Sequence, residues 1–344
     1  MRILAARLDN DGDVLLTGPA IRALAASGRV DVLASPAGAG AARLLPDVGE
    51  VLVFDPPWSG FAPAALDPGA VTELVDAVRS RRYDAAVVFT SFHQSPLPLA
   101  LLLRMAGVPH LAAASEDYPG SLLDVRFRRE SGPERHEVEA ALDLTAAAGF
   151  RLPSGDDGRL RVRGLPPVPP GLPRRFVVVH PGASVPARAP SPAQAVEVVD
   201  ALRRSGREVV VTGGPGERAL TAAVASPGAL DLGGATDLAG LAAVLAAADV
   251  VVVGNTGPAH LAAAVATPVV SWFSPVVPLA RWSPYGVPHL ALGDQQSPCA
   301  GSRARECPVP GHPCLTSVTS DQVVAAVDAL SVARTTADLV EGIR

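Results

Sequence analysis

Short apolar runs bounded by Gly, Pro or Asp alternate along this chain with longer stretches in which apolar residues recur at helical spacing. The first run, ILAARL from Ile3, ends in the polar turn DNDGD, and Val14, Leu15, Ala20, Ile21 and Leu24 then trace one face of a helix. Runs return at VDVLAS, VLVF and DAAVVFT, with the helix-like VTELVDAVRSRR before the last of them. Strands that alternate with helices predict a parallel sheet covered on both faces. From Leu165 the chain reads LPPVPPGLPRR, which has too few N–H donors for a helix or a central strand and favours a stiff, extended path. The alternation then restarts with FVVVH, a loop PGASVPARAPSP, a helix AQAVEVVDALRRSG and a strand EVVVTGG. DVVVVGN and TPVVSWF follow as strands, GPAHLAAAVA as the helix between them, and DQVVAAVDAL as a closing helix. Two doubly wound α/β domains are expected, over residues 1–165 and 176–330, with the Pro-rich stretch as linker.

Composition agrees and narrows the chemistry. The 344 residues suffice for about two domains, and 48% apolar against 18% charged residues exclude a disordered chain. A net charge of -5, with no basic run, argues against nucleic acid as a partner. All 29 basic residues are Arg, so any anion gripped by a long side chain is gripped by a guanidinium. No stretch approaches the roughly 20 apolar residues of a membrane span, and no secretory leader precedes the first strand, which leaves peripheral membrane association as the form any membrane contact would take. Three cysteines, an odd number confined to one late segment, fit a reducing, cytoplasmic setting.

In open α/β domains ligands bind beyond the carboxyl ends of the strands, so the loops after strands carry the candidate chemistry. The first, Asp9 to Asp13, is acidic, but Val14 and Ala20 stand where a calcium loop needs Gly and Glu. Asp13 opens a helix whose dipole favours its carboxylate; spacing leaves it either a helix cap or a reactive group. The second loop, HPGASVPAR from His180, offers small residues, the Ser184 hydroxyl and the Arg188 guanidinium to an anion, or is a plain solvated loop. The third, GNTGPAH, turns from a strand into a helix at Pro258, and the free N–H groups near Thr256 and Gly257 suit a diphosphate. His260 lies on that helix's first turn, as a further donor or a buried capping group. In GGPGE, Glu217 is placed to accept from ribose hydroxyls or simply to start a helix. Ser91, His93 and Gln94 follow the strand DAAVVFT, with His93 as a candidate acceptor contact or a surface histidine. Cys299, Cys307, Cys314 and His312 could offer a metal three thiolates and an imidazole, at a spacing that matches no short zinc knuckle.

Taken in order, RLDNDGDVLLTGPAIRAL, VVVHPGASVPAR, VVVTGGPGE and VVVGNTGPAHLAAAVATPVVSWFSP resemble glycosyltransferase family 9, the ADP-heptose:lipopolysaccharide heptosyltransferases, over Met1 to about Leu330. The resemblance implies the GT-B fold, two Rossmann-like domains facing across a cleft, the first binding the acceptor and the second the nucleotide sugar. It implies an inverting, metal-independent glycosyltransferase without a cofactor, which moves a sugar, a heptose by family, from an ADP-sugar-like donor to the hydroxyl of a glycan or small-molecule acceptor. On this resemblance Asp13 is the general base. Ser184 and Arg188 bind the donor diphosphate, Glu217 contacts the nucleotide, and Thr256, Gly257 and His260 form the pyrophosphate turn. Arg188 stands where relatives carry Lys, and Asn255 where many carry Asp, which makes a carboxylate contact to the donor an amide one. Ser302 replaces a further cysteine of the tail. The alternatives are a nucleotide-sugar epimerase on the same scaffold and a non-catalytic nucleotide-sugar-binding protein.

Overall fold

The computed structural model describes residues 1–341 apart from 61–62, 92–93, 130–133 and 226–227, with the backbone alone over 332–341. The chain divides into two compact units, Met1–Arg163 and Gly164–Arg344, and residues 165–175 carry neither helix nor strand.

In the first unit β1 (Arg2–Arg7), α1 (Asp11–Ala25), β2 (Arg29–Ala34), α2 (Ala39–Leu44), β3 (Val48–Val53) and α3 (Pro68–Arg81) lead to β4 (Ala85–Phe89). Then come α4 (Leu97–Met105), β5 (His110–Ala114), β6 (Val125–Phe127) and α5 (Glu137–Ala147). The strands form one parallel sheet in the order β3-β2-β1-β4-β5-β6. Its central strands are apolar on both sides because helices cover both faces: Leu4, Ala6, Val88 and Leu111 pack with Leu74, Val78, Leu99 and Leu103 beneath α3 and α4. Each of these leucines and valines stabilises the unit by about 1.5 to 3 kcal/mol relative to exposure.

The second unit repeats the plan. It runs β7 (Val177–His180), α6 (Pro192–Arg204), β8 (Val209–Val211), α7 (Arg218–Ala225), β9 (Leu230–Asp231), α8 (Leu238–Ala247) and β10 (Val250–Gly254). α9 (Gly257–Ala264), β11 (Val269–Trp272), α10 (Leu279–Trp282), β12 (His289–Leu292), α11 (Pro313–Thr316) and α12 (Ser320–Glu341) complete it. The strand order is β12-β11-β10-β7-β8-β9, again parallel throughout, so β10 follows β7 in the sheet as β4 follows β1 in the first. Valines of β7, β8 and β10 pack with Trp272 against α6 and the start of α12. That last helix continues to Glu341, past Leu330, where the apolar spacing alone would end it.

Each sheet therefore reverses its order of winding once, between β1 and β4 and between β7 and β10. At such a switch point the neighbouring loops diverge to opposite faces and leave a crevice at the strand ends. Both crevices are lined by the loops that the sequence singled out.

Candidate active site

At the first switch point the chemistry is organised by Arg7, the last residue of β1 and 4% exposed. Its guanidinium donates to Asp13 Oδ1 at 3.1 Å and to Ser91 Oγ at 3.0 Å. Its Nε lies 2.6 Å from Asp9 Oδ2, an ion pair rather than an aligned hydrogen bond. Burial opposes the charge on Arg7, but attraction to Asp9, Asp13 and Glu137 outweighs it and holds the group more firmly protonated than usual. Asp13 sits in the first turn of α1, where the dipole favours a carboxylate, and its side chain keeps 23% of its surface open. Its neighbours are committed elsewhere. Asp9 accepts from Gln94 Nε2 at 2.6 Å, and Asp11 accepts from the Ala41 backbone at 2.8 Å, with burial raising its pKa. Of the three acidic side chains, Asp13 is thus the one that is both fixed by a cation and half-open. α1 has no side-chain cap at Asn10, and Asp13 is the third residue of the helix. His93 lies outside the described residues.

At the second switch point two loops press together. The turn that ends at Arg188 runs against the end of β10 so closely that a Cβ on Gly254 would lie 2.4 Å from the Arg188 carbonyl oxygen. Glycine is required there by contact with the backbone, and this contact brings the 182–188 loop beside the turn that opens α9. In that turn Thr256 precedes the helix without capping it, its Oγ1 buried and without a partner, while Gly257 and Pro258 are half-buried and His260 is 5% exposed. The first amides of α9 form the positive end of an eight-residue helix. Ser184 is exposed and Arg188 half-buried.

Glu217 joins the same edge. Its carboxylate accepts from the Gly214 N–H at 2.7 Å, stands 3.9 Å from His180 Nε2, and packs so tightly on Gly182 that a Cβ there would lie 1.8 Å from Oε1. His180 bonds Thr212 through Nδ1 at 3.0 Å; burial lowers its pKa against the pull of Glu217, which keeps the ring neutral at pH 7.

Asn255 is engaged by the backbone of a neighbouring loop. It is 5% exposed, donates to the Ser274 carbonyl and accepts from the Ser274 N–H, both at 3.2 Å. An amide matches a backbone unit with one donor and one acceptor, so Asn255 ties the β10 turn to the loop after β11. The cysteine tail also has a structural task. Cys299 packs with Val185 and Ala187, Ala187 donates to the Arg305 carbonyl at 2.8 Å, and His312 Nε2 meets the Ala187 carbonyl at 3.1 Å. The tail thereby braces the 184–188 loop. All three cysteines are free, and among the described residues no group of three His, Cys, Asp or Glu is arranged to hold a metal. No described helix is long and apolar enough to cross a membrane.

Sequence reasoning passed over Arg7. Its one signal was a cation ending an otherwise apolar strand that enters an acidic turn.

Two six-stranded parallel sheets of one topology, each with polar loops at its switch point, define a two-domain, doubly wound α/β protein. The chain belongs to glycosyltransferase family 9 (heptosyltransferase), whose family model matches residues 71–312. It is 24% identical to lipopolysaccharide heptosyltransferase 3 of Escherichia coli over 94% of this chain and 98% of that protein. Among solved structures, the family 9 glycosyl transferase of Veillonella parvula has a TM-score of 0.76 at 17% identity, covering 96% of this chain and 97% of that one. The E. coli ADP-heptose LPS heptosyltransferase II has a TM-score of 0.74 at 20% identity, covering 97% and 100%. The protein is thus a glycosyltransferase, an enzyme that moves a sugar onto an acceptor.

Proposed function

We propose that this enzyme inverts the anomeric centre as it transfers a sugar, a heptose, from an ADP-sugar to an acceptor hydroxyl, with Asp13 as general base. The observation that carries the reading is the pairing of Asp13 with Arg7: a partly exposed carboxylate, oriented by a guanidinium, at the strand ends where a ligand binds. The donor diphosphate sits on the α9 turn, held by the amides near Thr256 and Gly257, by the Thr256 hydroxyl and by His260, with Ser184 and Arg188 on the adjoining loop. Glu217 accepts from the ribose hydroxyls. As the glycosidic bond breaks, negative charge grows on the leaving phosphate, and guanidinium and amide donors stabilise it in the role a divalent cation would otherwise fill. Asp13 takes the acceptor proton as the new bond forms on the opposite face, which contributes about 10² to 10⁴ in rate. The donor named for the E. coli heptosyltransferase II supports ADP-heptose as the first to try.

A thermal-shift series tests the donor half. ADP and ADP-sugars raise the unfolding temperature of the wild type by mass action, and Arg188→Ala removes most of the rise. Stabilisation by UDP alone, or an ADP effect untouched in Arg188→Ala, contradicts this assignment.

A further inference from the structure

The first unit holds a cavity of about 330 Å³ at the top of its sheet, on the side covered by α3 and α4. It opens beside Leu8 at the end of β1 and Thr90 at the end of β4, under the loop that carries Trp58 and Ser59, with Gln94 and Ser95 along its rim. The volume is at the lower end of small-molecule sites, enough for one ring with its substituents.

Three properties of the lining specify the occupant. Trp58 is half-buried and stands with its ring centroid 5.7 Å from that of Phe54, tilted by 42°, which fixes an indole as part of the wall. Around it, among apolar residues such as Leu8, Val88 and Leu99, the polar side chains of the described lining are hydroxyls and one amide: Ser59, Thr90, Ser95 and Gln94. Gln94 is itself immobilised: it donates to Asp9 at 2.6 Å and to Ser59 Oγ at 3.4 Å, and its Oε1 accepts from the Ser91 N–H at 3.2 Å. An aromatic plane with fixed hydroxyls and an amide complements a ring that has an apolar face and hydroxyl-bearing edges. Charge supplies the third property. Among the described lining residues there is no Arg, His, Asp or Glu. Behind Gln94 and the Thr90 carbonyl two guanidinium groups, Arg7 and Arg129, serve three carboxylates, Asp9, Asp13 and Glu137, so a net negative charge lies there. An anionic ring entering here would meet repulsion and find no counter-ion among the described lining residues.

We infer that this cavity binds the acceptor through an uncharged glycosyl or aryl-glycoside ring packed against Trp58, and that it selects against acceptors whose ring carries a carboxylate or phosphate. The inference rests on the reading of Asp13 as the base, because the cavity is tied to it by hydrogen bonds and one ion pair: Gln94 bonds Asp9 and the Ser91 backbone, Arg7 bonds Ser91 and Asp13, and Arg7 pairs with Asp9. A ring seated on Trp58 is held beside the group that takes its proton. Trp58 and Gln94 are then acceptor-binding and positioning residues.

The test uses the full chain and a matched pair of probes, p-nitrophenyl β-D-glucoside and p-nitrophenyl β-D-glucuronide, which differ in a single carboxylate. Saturation-transfer NMR titrations read binding, and the ADP-induced thermal shift is recorded on every variant. The glucoside should bind in the millimolar range and the glucuronide at least about tenfold more weakly. Trp58→Ala should weaken the glucoside by about tenfold or more and Trp58→Phe by less, with the ADP shift unchanged in both. Trp58→Phe and Ser59→Ala guard against a loss of Trp58→Ala to misfolding. Equal or tighter binding of the glucuronide, no glucoside binding up to about 20 mM, or indifference to all three substitutions overturns the inference. The two readings fail separately. A protein stabilised by ADP that ignores both glycosides keeps the donor half and loses the cavity, whereas a Trp58-dependent glucoside site without any nucleotide effect keeps the cavity and loses the transferase mechanism.

Discussion

The helix that carries Asp13 is anchored at its far end by one buried ion pair, and its removal has a calculable effect. Arg22, in the last turn of α1 and 4% exposed, donates from Nε to Asp156 Oδ2 at 2.7 Å and from a terminal nitrogen to Oδ1 at 2.8 Å, a two-point grip. This hydrogen bonding, against a smaller opposing effect of burial and with help from the Gly158 N–H, pulls the Asp156 carboxyl from 3.8 down to about 2. At 1.36 kcal/mol per tenfold change in proton affinity, the ionised form stabilises the folded first unit by about 2 to 3 kcal/mol. Asp156→Asn removes the charge and keeps the shape. At pH 7 it should lower the stability of this unit by that amount, about 5 to 10 °C in the midpoint of its unfolding transition. The sign of the pH dependence follows from the lowered value. The contribution is complete above the unfolded pKa near 4 and is lost as pH falls toward 2, so wild type and variant should converge in that window. Urea denaturation followed by circular dichroism at pH 7, 5, 4 and 3 reads the gap. A gap that stays constant down to pH 3, or none at pH 7, refutes the assignment of this stability to the Arg22–Asp156 pair.

One further substitution and one labelling experiment follow from the second unit. Gly182→Ala places a methyl group where the Glu217 carboxylate lies and should push it aside, weakening ADP by about tenfold or more with the fold intact; calorimetric titration with ADP reads this, and unchanged affinity removes Glu217 from the donor site. Burial raises the Cys314 thiol from 9.0 to about 11, and Cys299 is 3% exposed. At pH 8 a thiol reagent should therefore modify Cys307 quickly and the other two only upon unfolding; three fast thiols would contradict the packed tail.

The sequence made the frame legible wherever burial on both faces of a sheet leaves a continuous apolar run. FVVVH and DVVVVGN are such runs, and β7 and β10 fall within them. It did so as well for the loops after these strands, because small residues beside Ser, Thr and Arg mark close backbone approach. Other elements carry no such pattern. LPLALLLRM is apolar almost all round, so the periodicity that would show α4 is absent, and β6 and β9 are three and two residues long, too short to alternate. Direction was the deeper loss. Spacing located Asn255 in the turn before α9, but the engagement of its amide by the Ser274 backbone depends on a loop 19 residues away. Arg7 is silent for the same reason: a cation at a strand end becomes the keystone of an acidic cluster only once β4 brings Ser91 and Gln94 beside it. The bracing of the 184–188 loop by the cysteine tail likewise joins segments about 120 residues apart.

The central claim is that Asp13 performs proton transfer while the donor is held by other residues. The most direct measurement compares wild type and Asp13→Asn with saturating ADP-heptose and acceptor, recording donor affinity and the rate of ADP release together. The account predicts donor affinity within about twofold and ADP release slower by about 10² to 10⁴. Release at the wild-type rate, or a loss explained wholly by weaker donor binding, would contradict it.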